Sequence, residues 1–498
     1  MLFLSMEMHA KLPISYSVEL ISNNGSGKWA PYYIASNTQG TITQPHSELI
    51  NIGMFNDMDT TKRFSYGFGM QAFGGYTSSV SYNRYDTNLN EMVTHNLRPS
   101  ATWLQQLYAD IKYRSMYITL GLKYNHSHLL NDNLSSGDIT MSANSRPMPG
   151  LRAGLIDFRD IPYTNKWLQI SGELGYFKPT DNDWLKNHYN QYSTFVTTDL
   201  WFNYKRIYFR TKPSQPFSFT IGMQASCQFG GTHYSYSKGI LTATKKYNAN
   251  FGSFIKSIIP SSGGTDYGDK AYKEGNHVGS WDMMGTIKLP KGALLKVYLE
   301  SPWEDGSGIG KLNGFDGLYG IEYSSGNKSI INGAVVEYLD FTNQSGPIHW
   351  APNDFPGTTI KVQATGADDY YNNYAYNGYQ YYGMSIGSPF IKSPLYNSDG
   401  YLRYTDNRVR GFHCAVTGNI LPELSYRIMA SYRTSLGTPF NPSLEKRKDT
   451  SCLFEASYTL KKIPGLSFNA QLAIDRGSLY GDNTGGLFSI KYTGLLNL

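Results

Sequence analysis

The chain has 498 residues, of which only 16% are charged and 15% are aromatic, with 41 tyrosines and 50 glycines. A soluble domain usually carries about 25% charged residues, so this composition argues against an ordinary soluble domain. The net charge is +6, but no Lys/Arg run reaches the roughly 5–8 residues of a nucleic-acid patch, and we therefore expect no nucleic-acid partner.

The first ten residues predict the remnant of a signal peptide. Met1 to Met6 is mostly apolar, the chain turns polar at Glu7, and Lys11 to Ile21 has the character of mature chain. A complete signal has a basic start and an apolar core of about 7–15 residues. We predict a truncated or mis-started signal over residues 1–10 and one domain over 11–498, with a cytoplasmic protein as the alternative.

Apolar and polar side chains alternate with a period of two in several segments, which predicts β-strands with one apolar and one polar face. In one of them Leu107, Ala109 and Ile111 alternate with Asp110 and Lys112. Strand-like segments run from about Phe64 to Phe73, Leu104 to Tyr124, Leu168 to Phe177, Phe195 to Phe209, Phe217 to Phe229, Trp281 to Glu300, Gly317 to Tyr323, Gly333 to Phe341, and Val409 to the C-terminus.

Such strands suit either a soluble sandwich or propeller, or a membrane barrel whose apolar faces meet lipid. No apolar run approaches the ~20 residues of a spanning helix, so a membrane role requires a closed barrel, and an outer membrane follows. Short turns join some of the predicted strands, whereas three long polar segments separate others. These segments run from Asn125 to Arg146, Tyr234 to Gly279 and His349 to Asp406. Short turns at one end and long loops at the other are typical of membrane barrels.

Seven sequence blocks add a more specific signal because they occur in a fixed order. They are Ser142 to Gly150, Phe229 to His233, Glu274 to Ser280, Trp303 to Gly308, Phe315 to Gly320, Asn343 to Pro347, and Asp368 to Asn373. The first, which contains Asn144, Arg146 and Pro147, resembles the asparagine–arginine–proline signature of the capsule-assembly Wzi family of outer-membrane proteins. The ordered set is most similar to the Bacteroidetes branch of that family.

The resemblance implies an all-β fold: a large antiparallel transmembrane β-barrel of about eighteen strands, its lumen plugged by loops or short helices. It implies a non-enzymatic surface lectin and assembly factor that attaches capsular or exopolysaccharide to the surface of a Gram-negative cell. The expected partners are that polysaccharide and outer-membrane lipid, with a monomeric barrel, no cofactor and no metal. The chain departs from the wider family in its short N-terminus and in ending without a terminal aromatic residue.

Saccharide sites combine aromatic rings, which stack on the C–H faces of sugars, with amides and carboxylates, which bind hydroxyls. The tyrosine-rich segment from Asp368 to Tyr382 has this composition. The alternative is an aromatic girdle or a loop that packs on itself. A structural turn is the alternative for the block that begins at Trp303. We predict polysaccharide contacts at Tyr370, Tyr371, Asn373, Tyr374, Trp303, Glu304 and Asp305.

Other polar residues of the ordered blocks are expected to join the plug to the barrel wall, because buried polar residues are normally hydrogen-bonded within the protein. Arg146 is the clearest example, since the rigid Pro147 follows it directly. The predicted structural residues of the lumen are Asn144, Arg146, Asn276, His277 and Gln344.

Two other functions stay open from the sequence. A transport barrel for oligosaccharide or small solutes would use the same polar lumen. A barrel hydrolase would need a pair of facing carboxylates, for which Asp305 and Asp368 are candidates, or a nucleophile such as Ser385 in the Gly383 to Gly387 match to Gly-x-Ser-x-Gly. That match lacks the strand before it and the helix after it that a nucleophile elbow requires.

Overall fold

The computed structural model describes residues 12–258, 275–304, 306–311, 313–345 and 368–497. The predicted signal remnant and Asp305 lie outside these ranges. Within them the strands run, in chain order, Pro13–Ser26 (β1), His46–Asn56 (β2), Phe64–Thr77 (β3), Val80–Asp86 (β4), Glu91–Leu97 (β5), Thr102–Tyr113 (β6), Met116–Leu122 (β7), Gly150–Leu155 (β8), Arg159–Asp160 (β9), Leu168–Phe177 (β10), Thr194–Thr198 (β11), Trp201–Thr211 (β12), Phe217–Phe229 (β13), Gly231–Ser237 (β14), Ile240–Tyr247 (β15), Asn276–Lys288 (β16), Leu294–Trp303 (β17), Gly317–Ser324 (β18), Gly333–Asp340 (β19), Gln380–Tyr381 (β20), Met384–Ser385 (β21), Val409–Leu421 (β22), Leu424–Gly437 (β23), Pro442–Thr459 (β24), Leu466–Gly477 (β25) and Asn483–Asn497 (β26).

Helices are few and short in the described ranges. None of them is long and apolar enough to cross a membrane. They are Tyr32–Ala35 (α1), Trp184–His188 (α2), Phe251–Lys256 (α3) and Gly306–Ile309 (α4), with 3₁₀ turns at Pro290–Gly292 and Pro394–Tyr396.

The main sheet closes on itself. Its antiparallel neighbours run β1–β2–β3–β6–β7–β8–β10–β12–β13–β16–β17–β18–β19–β22–β23–β24–β25–β26, and β26 pairs with β1 along its length, from Pro13 opposite Asn497 to Ser26 opposite Thr484. The short β9 extends β8 against β10. The result is a closed antiparallel barrel of 18 strands, which confirms the predicted fold class and leaves no open sheet edge.

The barrel is apolar outside and polar inside. On β6, Leu107 and Ile111 are exposed, whereas Asp110 and Lys112 are buried. The other alternating strands follow the same pattern, with Ile428, Phe454 and Leu472 all exposed. A soluble sandwich would show the opposite arrangement, so the outer surface is one that lipid must cover. This is the architecture of an outer-membrane barrel.

Connections of unequal length distinguish the two ends of the barrel. Residues 114–115 and 422–423 are examples of the tight turns at one end, which we call the short-turn end. The opposite, long-loop end carries the extended connections, as predicted. Three of them enter the barrel and are its plug: residues 27–45 (first plug segment), 123–149 (second plug segment) and 368–408 (third plug segment).

Three barrel strands, β1, β2 and β8, were not predicted from the sequence. Residues 234–279, predicted as a loop, overlap β14 and contain β15 and α3 in their described part. With β11, the strands β14 and β15 make a three-stranded sheet outside the barrel wall, at the long-loop end.

Candidate functional site

Two wall carboxylates hold the second plug segment by its backbone. Glu337 on β19 accepts hydrogen bonds from the Ser136 N–H at 2.8 Å and the Ser135 hydroxyl at 2.7 Å. Glu300 on β17 accepts one from the Ile139 N–H at 2.9 Å. Both carboxylates are buried. Because a buried donor without an acceptor is costly, these bonds fix the position of the segment against the wall.

Asp138 makes the complementary contact from the plug side. Its Oδ1 accepts the N–H groups of Thr140 and Met141, and its Oδ2 accepts an N–H of Gln224 on β13 at 2.9 Å. Burial raises the pKa of the Asp138 carboxyl above its ordinary value, and the surrounding donors oppose that shift. The Asp138 carboxyl group thus stabilises a turn of the plug backbone and also connects the plug to the wall.

The asparagine–arginine–proline block lies where all three plug segments meet. Asn144 is fully buried; its Oδ1 accepts the Asn37 N–H of the first segment, and its Nδ2 donates to the Ser385 carbonyl of the third at 3.0 Å. The Arg146 guanidinium carbon lies 4.8 Å from the ring centre of Trp103 on β6 and 4.5 Å from that of Tyr382. The block therefore connects the plug segments to one another and, through Trp103, contacts the wall.

Ser385, the centre of the Gly-x-Ser-x-Gly match, belongs to this junction. It lies on the two-residue strand β21, which is followed by a turn and not by a helix. The side chain is fully buried, and the Ser385 N–H donates to the Ser393 hydroxyl at 3.0 Å. A serine so enclosed has none of the exposure that a nucleophile elbow gives its hydroxyl.

Four of the predicted sugar-binding residues are buried where plug and wall meet. The Tyr370 hydroxyl donates to Asp316 at 2.9 Å, and the Tyr371 hydroxyl donates to the Ile139 carbonyl at 2.5 Å. Glu304 accepts the Tyr371 N–H, and Trp303 is completely enclosed. The prediction placed these residues on a loop or strand end that faces sugar. In the structure all four side chains are buried, and their contact with sugar stays a prediction.

The remaining predicted contacts differ in exposure. Tyr374 is 49% exposed, and Asn373 is partly exposed and accepts the Ala375 N–H at 2.8 Å. Asp305 lies outside the described residues, so its pairing with Asp368 does too. Of the predicted set, Tyr374 presents the most accessible ring.

The predicted structural residues of the lumen are enclosed. Asn276 donates to the Gln228 side chain at 3.0 Å, and His277 beside it is buried. Gln344 is fully buried; its Nε2 donates to the carbonyl oxygens of Phe341 and Asn407, each at 3.0 Å. These groups make their hydrogen bonds within the protein.

A cleft opens at the long-loop end between the third plug segment and the loop over residues 178–200. Its cavity volume is about 30 Å³, which is room for about two water molecules. Tyr381 and Tyr382 line it from the plug, both with hydroxyls directed to the Thr180 carbonyl, and Asp181 and Asp199 line it from the loop. Aromatic rings with carboxylates and the nearby amides of this cleft are the groups that a saccharide site requires.

Sequence reasoning identified part of this cleft. Tyr381 and Tyr382 belong to the tyrosine-rich segment, but Asp181 and Asp199 were not singled out, since isolated acids in a loop carry no motif. The wall carboxylates Glu300 and Glu337 were missed as well. Both lie at polar positions of alternating strands. Such a position indicates that a side chain faces the lumen, but it does not indicate what the side chain binds.

Comparisons with known proteins show the fold. No family model matches the sequence, and no curated protein matches it. The Escherichia coli outer-membrane protein Wzi, described as a carbohydrate-binding β-barrel involved in group 1 capsule assembly, has a similar structure: the TM-score is 0.56 with 11% identity, over 96% of this chain and 83% of that one. Acinetobacter baumannii OccAB4 gives a TM-score of 0.46 with 10% identity, over 97% and 98% of the two chains, and Pseudomonas aeruginosa OccK3 (OpdO) gives 0.44 with 12%, over 97% and 96%. This chain therefore has the fold of large outer-membrane β-barrels such as Wzi.

Proposed function

We propose that this protein is a non-enzymatic surface lectin of a Gram-negative outer membrane that attaches capsular or exopolysaccharide to the cell, as a distant member of the Wzi family. The ordered sequence blocks support this, as does the shared fold with a barrel described as carbohydrate-binding. In this proposal the barrel is a monomer in lipid, and its long-loop end holds the polymer.

The observation that carries the proposal is the plug. Barrels of 16–18 strands are wide enough for an aqueous channel, yet here three chain segments are hydrogen-bonded to one another and to the wall across the lumen. A holder of polymer does not need an open pore. Many weak stacking and hydroxyl contacts along a repeating chain would add up by multivalency.

A transport barrel is the second candidate, since the lumen is lined by polar side chains and a plug can move. Single-channel recording in planar bilayers separates the two candidates. The lectin predicts little steady current together with retention of polysaccharide by the purified protein. Steady ohmic current without retention would overturn the lectin in favour of transport.

The same preparation tests for hydrolysis. Incubation with the retained polysaccharide should produce no new reducing ends. Their appearance would contradict the non-enzymatic part of the proposal.

A further inference from the structure

Arg146 differs from those arginines of the barrel that have an acidic partner. Arg206, for example, pairs with Glu173, and Arg447 pairs with Asp406. Among the described residues, no Asp or Glu forms an ion pair with Arg146, and its Nε reaches the Gly40 carbonyl only at 3.5 Å, the limit of a hydrogen bond. Within the described ranges its charge therefore has no anionic partner.

Two aromatic rings hold this guanidinium in place. Its central carbon lies 4.8 Å from the Trp103 ring centre and 4.5 Å from that of Tyr382. Trp103 is itself fixed, since it stacks on Phe73 at 5.1 Å and its Nε1 donates to Gln105 at 2.8 Å. A guanidinium held by rings keeps its N–H groups in a defined plane, which suits the two oxygens of a carboxylate.

The terminal nitrogens of Arg146 are not fully enclosed. The Nε and Nη1 of Arg433 are enclosed without a partner, whereas no nitrogen of Arg146 is so enclosed and its side chain is partly exposed. Burial lowers the pKa of the Arg146 guanidinium, as expected for a charge that lacks a counter-ion. Partial burial also excludes part of the water that would weaken an ion pair with a ligand.

The surroundings fit a sugar ring. Tyr382 lies 4.8 Å from the Tyr381 ring and 6.4 Å from the Trp184 ring, so aromatic groups continue from Arg146 into the cleft at the long-loop end. Asp181 also lines the cleft; burial raises the pKa of its carboxyl, and hydrogen bonds from backbone N–H groups oppose that shift. The arrangement offers a stacking surface beside a fixed cationic donor.

We propose that Arg146 is the anion receptor of a saccharide site at the long-loop end, and that the polymer bound there is acidic. The carboxylate of a uronic-acid residue binds the guanidinium, while Trp103 or Tyr382 contacts the sugar ring. This inference rests on the proposed lectin function and names the substrate class for it.

Calorimetric titration of the full chain in detergent tests the proposal. The ligands are an oligogalacturonide of three residues, neutral maltotriose of the same length, and inorganic phosphate. The wild-type protein is expected to bind the acidic trimer at least about tenfold more tightly than the neutral one, the scale of a charge-assisted hydrogen-bonded contact. Arg146→Gln should remove that preference.

Two further variants make the result specific. Arg146→Lys keeps the charge but not the planar pair of donors, and should lose most of the preference, which also covers the case in which the glutamine variant fails to fold. Arg403→Gln is the matched control: Arg403 lies 4.4 Å over Tyr401 but already pairs with Asp399 at 3.4 Å, so the variant should bind like the wild type.

Each outcome bears on one of the two proposals. Equal binding of acidic and neutral trimers, or an acidic preference that survives in both Arg146 variants, overturns the acidic-polymer inference and leaves the lectin standing. Binding of phosphate through Arg146 without binding of the acidic trimer also overturns it. Absence of all saccharide binding, for this panel and for the polymer of the cell, overturns the lectin as well.

Discussion

Tyrosine rings fill much of the third plug segment, and their hydroxyls satisfy carbonyls that would otherwise be buried alone. Sugar contacts of the tyrosine-rich part of this segment stay a prediction. The Tyr379 hydroxyl donates to the Thr140 carbonyl, and the Tyr404 hydroxyl donates to the Tyr379 carbonyl, each at 2.7 Å. A large ring with one polar tip suits an interior packed from irregular chain. Composition alone cannot separate this use from saccharide binding.

Asp316 allows a residue-scale prediction about pH. Burial raises the pKa of Asp316 to about 6, although it accepts hydrogen bonds from Gln344, Asn343 and Tyr370. The folded state therefore binds the proton more tightly than the unfolded state, whose pKa is near 3.8. The stabilisation by this proton is complete below about pH 4 and is lost as pH rises through about 6, a change of about 3 kcal/mol at 1.36 kcal/mol per pKa unit.

The measurement is the free energy of unfolding of the wild type and Asp316→Asn between pH 4 and 7.5. Other carboxyl groups titrate in both proteins, so only the difference between the two reports on Asp316. The stability of the wild type relative to the variant should fall across this range. A difference that stays constant or rises would contradict the raised pKa.

At the scale of elements, the wall was easier to predict than the plug. Alternation on β6 and β23 follows from one constraint, since every second side chain must face lipid, and it needs no knowledge of other strands. The strands that were not predicted alternate in the same way. On β1, for example, Tyr16, Val18 and Leu20 lie on the outer face. The plug obeys no such period. Its position depends on contacts far apart in sequence, such as that between Ser136 and Glu337, which only the folded chain brings together.

Glu337→Ala tests whether the plug depends on the wall carboxylates. The change leaves the Ser135 hydroxyl, the Ser136 N–H and the Tyr298 hydroxyl without their acceptor. Each buried unsatisfied donor costs about 1–3 kcal/mol, so the second plug segment should loosen. We expect a lower unfolding midpoint and current steps in planar bilayers that the wild type does not show.

Glu19→Ala is the matched control. Glu19 on β1 accepts hydrogen bonds from Asn51 and Ser489 on the neighbouring strands, so its carboxylate joins wall to wall. This variant should be destabilised without gaining conductance. If Glu337→Ala conducts no better than Glu19→Ala, the wall carboxylates are not what holds the plug in place.

At the scale of the whole molecule, the closed sheet and the apolar belt both follow from lipid as the surrounding solvent. Ile321 on β18 faces outward beside Val297 and Val336, and all three are about half exposed. In water such a belt would drive aggregation, whereas in lipid it is stable and requires that no backbone edge be left open. The sequence could predict this because lipid acts on every strand alike. In the proposed function a polymer would contact only a few side chains at the long-loop end, so a saccharide site leaves no comparable pattern in the sequence.

Two isoleucine-to-arginine changes test the placement in lipid. Ile321 is 52% exposed on the barrel wall, and Ile240 is 67% exposed on β15, outside the wall at the long-loop end. Arginine near the bilayer midplane costs about 2–4 kcal/mol in such barrels, whereas a surface change in water stays within about 0.5 kcal/mol. Equilibrium unfolding in lipid vesicles should therefore show Ile321→Arg destabilised by the larger amount and Ile240→Arg almost unchanged. Equal, small effects at both positions would mean that the surface around Ile321 meets water.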